Sequence, residues 1–232
     1  IQFSLVHDTA TLYLDTTGTP LHKRGYRPAH VAAPLRETLA AAMVKLARYR
    51  GREAFIDPFC GAGTIAIEAA MAACRIAPGL SRGFDAEQWG FTPPGAFDEA
   101  REQARAAVKK EKLELQASDI SAEAVELTRE NARRAGVEDC MNIARADALS
   151  LDYGGRSGIL MTNPPYGIRL LDVEQARDIC RALGRLTANA PALKQYILTS
   201  DESFERVYGR PSDKKRKLYN GMLKCSLYMY YK

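Results

Sequence analysis

The chain has 232 residues, 46% of them hydrophobic and 26% charged, with a formal net charge of +5. That length suits one sizeable α/β core, and the composition is that of an ordinary soluble globular protein. No apolar run approaches the roughly 18 residues that span a bilayer, and residues 1–20 lack the layout of a signal peptide, so membrane insertion is not expected and a cytoplasmic location is.

The first fifteen residues alternate through Phe3, Leu5, Leu12 and Leu14 around a polar His7–Thr11 stretch, which predicts a short hairpin. Gly18, Pro20, Gly25 and Pro28 make 16–30 a loop or linker, so 1–30 is expected to be hairpin plus linker and 31–232 the main domain. A helix is predicted from Pro34 to about Arg48, with Leu35, Leu39, Met43, Leu46 and Ala47 on one face. Ala54–Asp57 reads as a short buried strand ending at a glycine turn. Thr64–Cys74 follows as an alanine-rich helix able to lie close to a sheet. Residues 78–97, rich in glycine and proline, read as a long inserted loop carrying Phe84 and Trp89, whose aromatics suit packing better than base stacking.

Leu113–Ser118 and Met141–Ala144 are the next predicted strands, separated by a helix over Ala122–Ala135 that Gly136 stops. Gly158–Thr162 is another buried strand and delivers Asn163 at its carboxyl end. A helix bearing Ala176, Ile179, Cys180, Leu183 and Leu186 inward follows, then a strand at Gln195–Thr199. Lys217–Tyr219 and Leu223–Tyr231 flank Asn220-Gly221 as a terminal hairpin. Alternating strands and helices predict a mainly parallel, doubly wound sheet, which binds ligands at the carboxyl ends of its strands. The five scattered cysteines contain no CxxC pair; they fit small buried hydrophobes in a reducing compartment, and no metal site is expected.

Gly61-Ala62-Gly63, between a strand and a helix, lets backbone approach a ligand closely and offers it unpaired N–H groups. The same residues fit a G-x-G-x-x-A dinucleotide turn, or a bare structural turn; a phosphate loop is excluded because no lysine follows Gly63. Asp57 could hydrogen-bond a cofactor's amino-acid part, Asp119 its ribose hydroxyls and Asp147 its adenine amine. Each aspartate alone could equally cap a helix or form a turn.

Asn163-Pro164-Pro165-Tyr166 suits an exocyclic amine on a flat ring. The lone pair of such an amine is delocalised, and acceptors aimed at its hydrogens free that pair for attack. The Asn163 side-chain carbonyl and the Pro164 peptide carbonyl are such acceptors, stiffened by two prolines. Tyr166 offers a face on which an extruded base can stack. The bland alternative is an Asn-Pro turn followed by a core tyrosine. Paired with the glycine turn, the tetrapeptide points to methyl transfer from S-adenosylmethionine onto a nucleobase nitrogen. Basic clusters at Lys23, Arg24 and Arg27, beside His22, and at Lys214, Lys215, Arg216 and Lys217, near Arg206 and Arg210, could track phosphates or simply face solvent.

Leu21–Arg27, Asp57–Thr64, Asn163–Gly167 and Lys217–Gly221, in that order, resemble the bacterial 23S ribosomal RNA guanine-N2 methyltransferases that carry an RNA-binding THUMP domain, often labelled N6-adenine DNA methylases. The resemblance implies a Rossmann-like S-adenosylmethionine-dependent methyltransferase fold, with an antiparallel C-terminal hairpin and no metal. It implies a cofactor site at Asp57, Pro58, Phe59, Gly61, Gly63, Thr64, Asp119, Ile120, Asp147, Ala148 and Asn163, and a base held by Asn163–Tyr166. Ribosomal RNA is the implied partner, and residues 1–15 resemble the end of the segment that joins the THUMP module. Adenine N6 methylation, a nicotinamide-dependent oxidoreductase and a non-catalytic RNA-binding module are the competing readings.

Overall fold

The computed structural model describes residues 1–27, 35–165 and 173–231. Strands β1 (Gln2–Val6) and β2 (Thr9–Tyr13) form a separate antiparallel hairpin. Its turn is tighter than the predicted His7–Thr11 stretch: His7 and Asp8 alone make it, both at positive φ, and Val6 already pairs with Thr9. The segment after it is no free linker. Arg82 donates to the carbonyls of Thr17, Thr19 and Pro20, the Ala86 amide donates to Thr16, and Tyr26 is buried in the core. The inserted 78–97 segment, which includes a single-turn helix at Asp85–Gln88, thus serves as the cradle for residues 16–20.

The main body alternates α1 (Glu37–Ala47), β3 (Phe55–Asp57), α2 (Thr64–Ala73), α3 (Ala96–Ala106), β4 (Leu115–Asp119), α4 (Ala122–Ala135), β5 (Asn142–Arg145), β6 (Gly158–Thr162), α5 (Val173–Thr187) and β7 (Leu193–Thr199). A short helix, α6 (Phe204–Tyr208), which the sequence pattern did not suggest, then precedes the hairpin β8 (Lys214–Asn220) and β9 (Leu223–Tyr230). Among the described residues these strands form one sheet in the order β5-β4-β3-β6-β7-β9-β8. The first five are parallel, and β9 and β8 add antiparallel at one edge.

Both faces of the sheet are apolar because alternate residues serve opposite layers. Phe55, Ile159, Met161, Leu198 and Leu227 pack with α1, α2 and α4 on one side. Ile56, Leu160, Ile197 and Tyr228 meet Cys180, Leu183, Phe204 and Tyr208 of α5 and α6 on the other. Helix α2 is buried from Thr64 to Met71, which its alanines permit. Helix α4 begins where Ser121 accepts a hydrogen bond from the Ala124 amide (3.1 Å) and ends at Gly136, φ 71°. All five cysteines are free and buried. No helix among the described residues is long and apolar enough to cross a membrane.

Candidate active site

Strand order reverses between β3 and β6, the position at which open α/β sheets leave a ligand crevice. The sequence places Asp57 at the end of β3 and Asn163 just beyond β6, so both face that switch point. Asp57 is 1% exposed, and one carboxylate oxygen accepts from Thr162 Oγ1 at 2.8 Å. The other oxygen has no hydrogen-bond partner among the described residues. Burial pushes this carboxyl up to about 7; the Thr162 hydrogen bond and the polarity of the nearby Phe59 amide oppose that rise, and nearby Asp119 adds to it.

The glycine turn lies immediately beyond. Gly63 ends it at φ 79°, and a Cβ there would sit 2.7 Å from Thr128 Cγ2, so both backbone conformation and space demand glycine. Gly61, at φ 53°, has nothing within 4 Å of the corresponding position, leaving open room beside the backbone. Asp119 spans the two loops, accepting from the Gly61 amide (3.0 Å) through Oδ2 and from the Ser121 amide (3.0 Å) through Oδ1. These bonds hold its carboxylate at the rim of the turn, where further lone pairs stay available to hydroxyl donors. Ile120 beside it is 62% exposed, an apolar surface at the crevice mouth. Asp147 is exposed and accepts from the Leu149 amide (2.9 Å), while Ala148 is buried. The bland turn-former role of Asp119 and Asp147 is therefore real, and it coexists with their position at strand ends.

At the proline corner, Asn163 is part-buried and its Oδ1 lies buried with no partner among the described residues. Pro164 is buried and Pro165 half-buried. A cavity of about 210 Å³ opens next to Pro165, lined by Ala176, Arg177, Cys180, Thr199, Asp201 and Phe204. Tyr166, the expected stacking face, lies outside the described residues, as does Gly167. Acceptors at Asp57 and Asn163 with no hydrogen-bond partner among the described residues, a bare backbone at Gly61 and a carboxylate at Asp119 together fit a zwitterionic nucleoside cofactor. Asp57 would take its ammonium group, Asp119 its ribose hydroxyls and Ile120 the face of its base.

Most of the N-terminal basic cluster is engaged within the fold. Arg24 pairs with Glu68 (3.3 Å) and its side chain is only 10% exposed; Arg27 pairs with Glu37 and is 8% exposed. Both arginines answer glutamates on buried helix faces, because a lone buried carboxylate is costly, and neither presents its charge to phosphate. Lys23 alone of the three is exposed. Lys214, Lys215, Arg216 and Lys217 are all exposed along β8, the edge strand, with Lys215 over the Tyr228 ring (4.5 Å) and Lys217 over Tyr219 (5.3 Å). Charge on an edge also discourages strand-to-strand aggregation. Sequence reasoning missed Thr162, Glu37 and Glu68; the last two could have been suspected as acids at apolar helical positions.

The architecture and this crevice define an S-adenosylmethionine-dependent methyltransferase domain, and the relatives agree. Residues 24–229 match the UPF0020 family, described as RMKL-like, methyltransferase domain, and the chain belongs to that family. It is 40% identical over its whole length to the protein named Putative RNA methyltransferase YpsC of Bacillus subtilis, covering 60% of it. It is 38% identical over 97% of its length to Ribosomal RNA large subunit methyltransferase K/L of Vibrio campbellii, covering 33% of that protein. The crystal structure of SMU.472 complexed with SAH superposes with a TM-score of 0.89 at 39% identity, covering 99% of this chain and 60% of that one. The chain thus spans 60% and 33% of the two curated relatives. Membership of this family sets aside the oxidoreductase reading of Gly61–Ala66.

Proposed function

We propose that this domain transfers a methyl group from S-adenosylmethionine to the exocyclic N2 amine of a guanine in 23S ribosomal RNA. The observation that carries the proposal is the buried Oδ1 of Asn163, one strand away from a buried Asp57 oxygen, neither with a hydrogen-bond partner among the described residues. Several buried polar atoms among the described residues lack such partners, but these two acceptors sit at the ends of the neighbouring strands β3 and β6, on the two sides of one crevice. The names of the K/L and YpsC relatives support an RNA substrate.

In this reading Asn163 Oδ1 accepts one hydrogen of the base amine and the Pro164 carbonyl accepts the other. Accepting both favours a pyramidal nitrogen whose lone pair points into the crevice. The prolines fix those oxygens before the base arrives, so little reorganisation remains when charge develops on the nitrogen. When bound, S-adenosylmethionine supplies a methyl group already activated by its sulfonium. Asp57, Gly61, Gly63, Thr64, Asp119, Ile120, Asp147 and Ala148 hold that cofactor, together with Pro58 and Phe59, and Tyr166 stacks on the extruded base. Lys23 and Lys214–Lys217 track phosphates. Residues 1–30 join the catalytic domain to an RNA-binding module of the longer protein, which acts in the cytoplasm. Adenine N6 is the second reading, because the same tetrapeptide can grip either amine. The test is incubation with labelled cofactor and unmodified ribosomal RNA, followed by mass spectrometry of the nucleosides. N2-methylguanosine is expected; N6-methyladenosine favours the second reading, and no methylated nucleoside refutes both.

A further inference from the structure

Arg27, once removed from the RNA surface, acquires a different role from its contacts. Its Nε donates to Glu37 Oε1 at 2.9 Å, and a second guanidinium nitrogen is paired with the other Glu37 oxygen. The remaining nitrogen, Nη1, donates to the Leu35 carbonyl at 3.1 Å and to Thr64 Oγ1 at 3.3 Å. Thr64 is the first residue of α2, directly after Gly63, and is 5% exposed. One turn further along the same helix, Glu68 accepts from Arg24 and from the Tyr26 hydroxyl (3.2 Å). Residues 24–27 are therefore clamped along α2 at two successive turns, and the forward clamp ends on the residue that opens the proposed cofactor site.

The chemistry of a hydroxyl gives that contact direction. A threonine oxygen has one proton to donate and two lone pairs to accept with. With an arginine donating into one lone pair, the Thr64 proton must be given elsewhere, and the amino end of α2 already favours an anion by its own N–H groups. Glu37 balances the guanidinium charge, so Arg27 does not bind an anion itself. We propose that Arg27 is a positioning residue for the cofactor: it fixes the Thr64 hydroxyl as a donor to the carboxylate of the cofactor's amino-acid portion. The proposal rests on the assignment of the Gly61–Thr64 turn to S-adenosylmethionine, and the two can fail separately.

Calorimetry with two probes tests it. S-adenosylhomocysteine carries the amino-acid carboxylate; 5′-methylthioadenosine keeps the adenosine and thioether but lacks it. Arg27→Gln is expected to weaken S-adenosylhomocysteine binding about tenfold, the size of one lost charge-assisted hydrogen bond, and to change 5′-methylthioadenosine binding less than about twofold. Thr64→Val should show the same selective loss, and the double variant should be no worse than either single one. Because Arg27→Gln strands the buried Glu37 carboxylate, Arg27→Gln with Glu37→Gln is measured alongside. It should recover melting temperature without recovering S-adenosylhomocysteine affinity. Equal weakening of both probes, unchanged S-adenosylhomocysteine affinity, or affinity that returns with melting temperature would each overturn the role of Arg27. A wild-type protein that binds neither probe would refute the cofactor assignment itself, and this proposal with it.

Discussion

Replacing Asn163 with alanine should lower activity without lowering stability. Asn163 Oδ1 is buried without a partner among the described residues, and an unpaired buried carbonyl costs about 1–3 kcal/mol in the folded state. Removing it relieves that cost, while the lost packing of a part-buried side chain takes some of the gain back. The expected net change is between no effect and about 1 kcal/mol of added stability. If the same oxygen accepts a hydrogen of the reacting amine, its loss should lower kcat by about 10²–10³, the usual effect of deleting one preorganised group at a developing charge. The loss should fall on kcat rather than KM, because the interaction strengthens as the nitrogen becomes pyramidal. Urea titration gives the first quantity, and methylation of unmodified ribosomal RNA under saturating cofactor gives the second. A kcat within about threefold of wild type, or a stability loss above about 2 kcal/mol, would mean that Asn163 is a structural turn residue and would refute the reasoning.

Asp57 should make stability, and in the proposed assignment cofactor binding, depend on pH. Its carboxyl is raised from 3.8 to about 7 by burial, so the folded state holds a proton that the unfolded chain has released. Its contribution to stability is present in full below about 3.8 and is lost as pH rises through about 7. Asp57→Asn should flatten that part of the stability–pH curve, and a curve identical to wild type would contradict the assignment. Ligand binding should run the other way: a cofactor ammonium prefers the ionised carboxylate, so S-adenosylhomocysteine should bind more tightly at pH 8 than at pH 6, and pH-independent calorimetry would remove Asp57 from the ammonium site. Arg24→Ala should cost about 3 kcal/mol of stability by leaving the buried Glu68 charge without its cation, with only the Tyr26 hydroxyl bond remaining; a filter-binding loss for RNA at unchanged stability would restore the surface role. Changing Lys214–Lys217 to alanine should weaken RNA binding and reduce its dependence on salt, whereas an unaltered salt slope would leave these residues as edge-strand protection.

Much of this protein follows from local pattern. Alternating apolar residues, alanine-rich and capped helices, and glycines at strand ends act through neighbours within a few residues, so the parallel sheet, the Ala122–Ala135 helix and the Asp57–Gly63 turn were legible from the chain alone. The end of β6 before Asn163-Pro164-Pro165 was legible for the same reason, since proline cannot continue a central strand. Partnership across the fold was not. A run such as His22-Lys23-Arg24 reads as surface charge until Glu68, far along the chain, is known to lie buried against it. The pairing of Thr162 with Asp57 likewise exists only once β6 lies beside β3, and the contact of Arg27 with Thr64 only once residues 24–27 lie along α2. Sequence determined which groups could do chemistry; burial, which depends on what packs over each group, decided which charges are spent on the core and which acceptors are left open in the crevice.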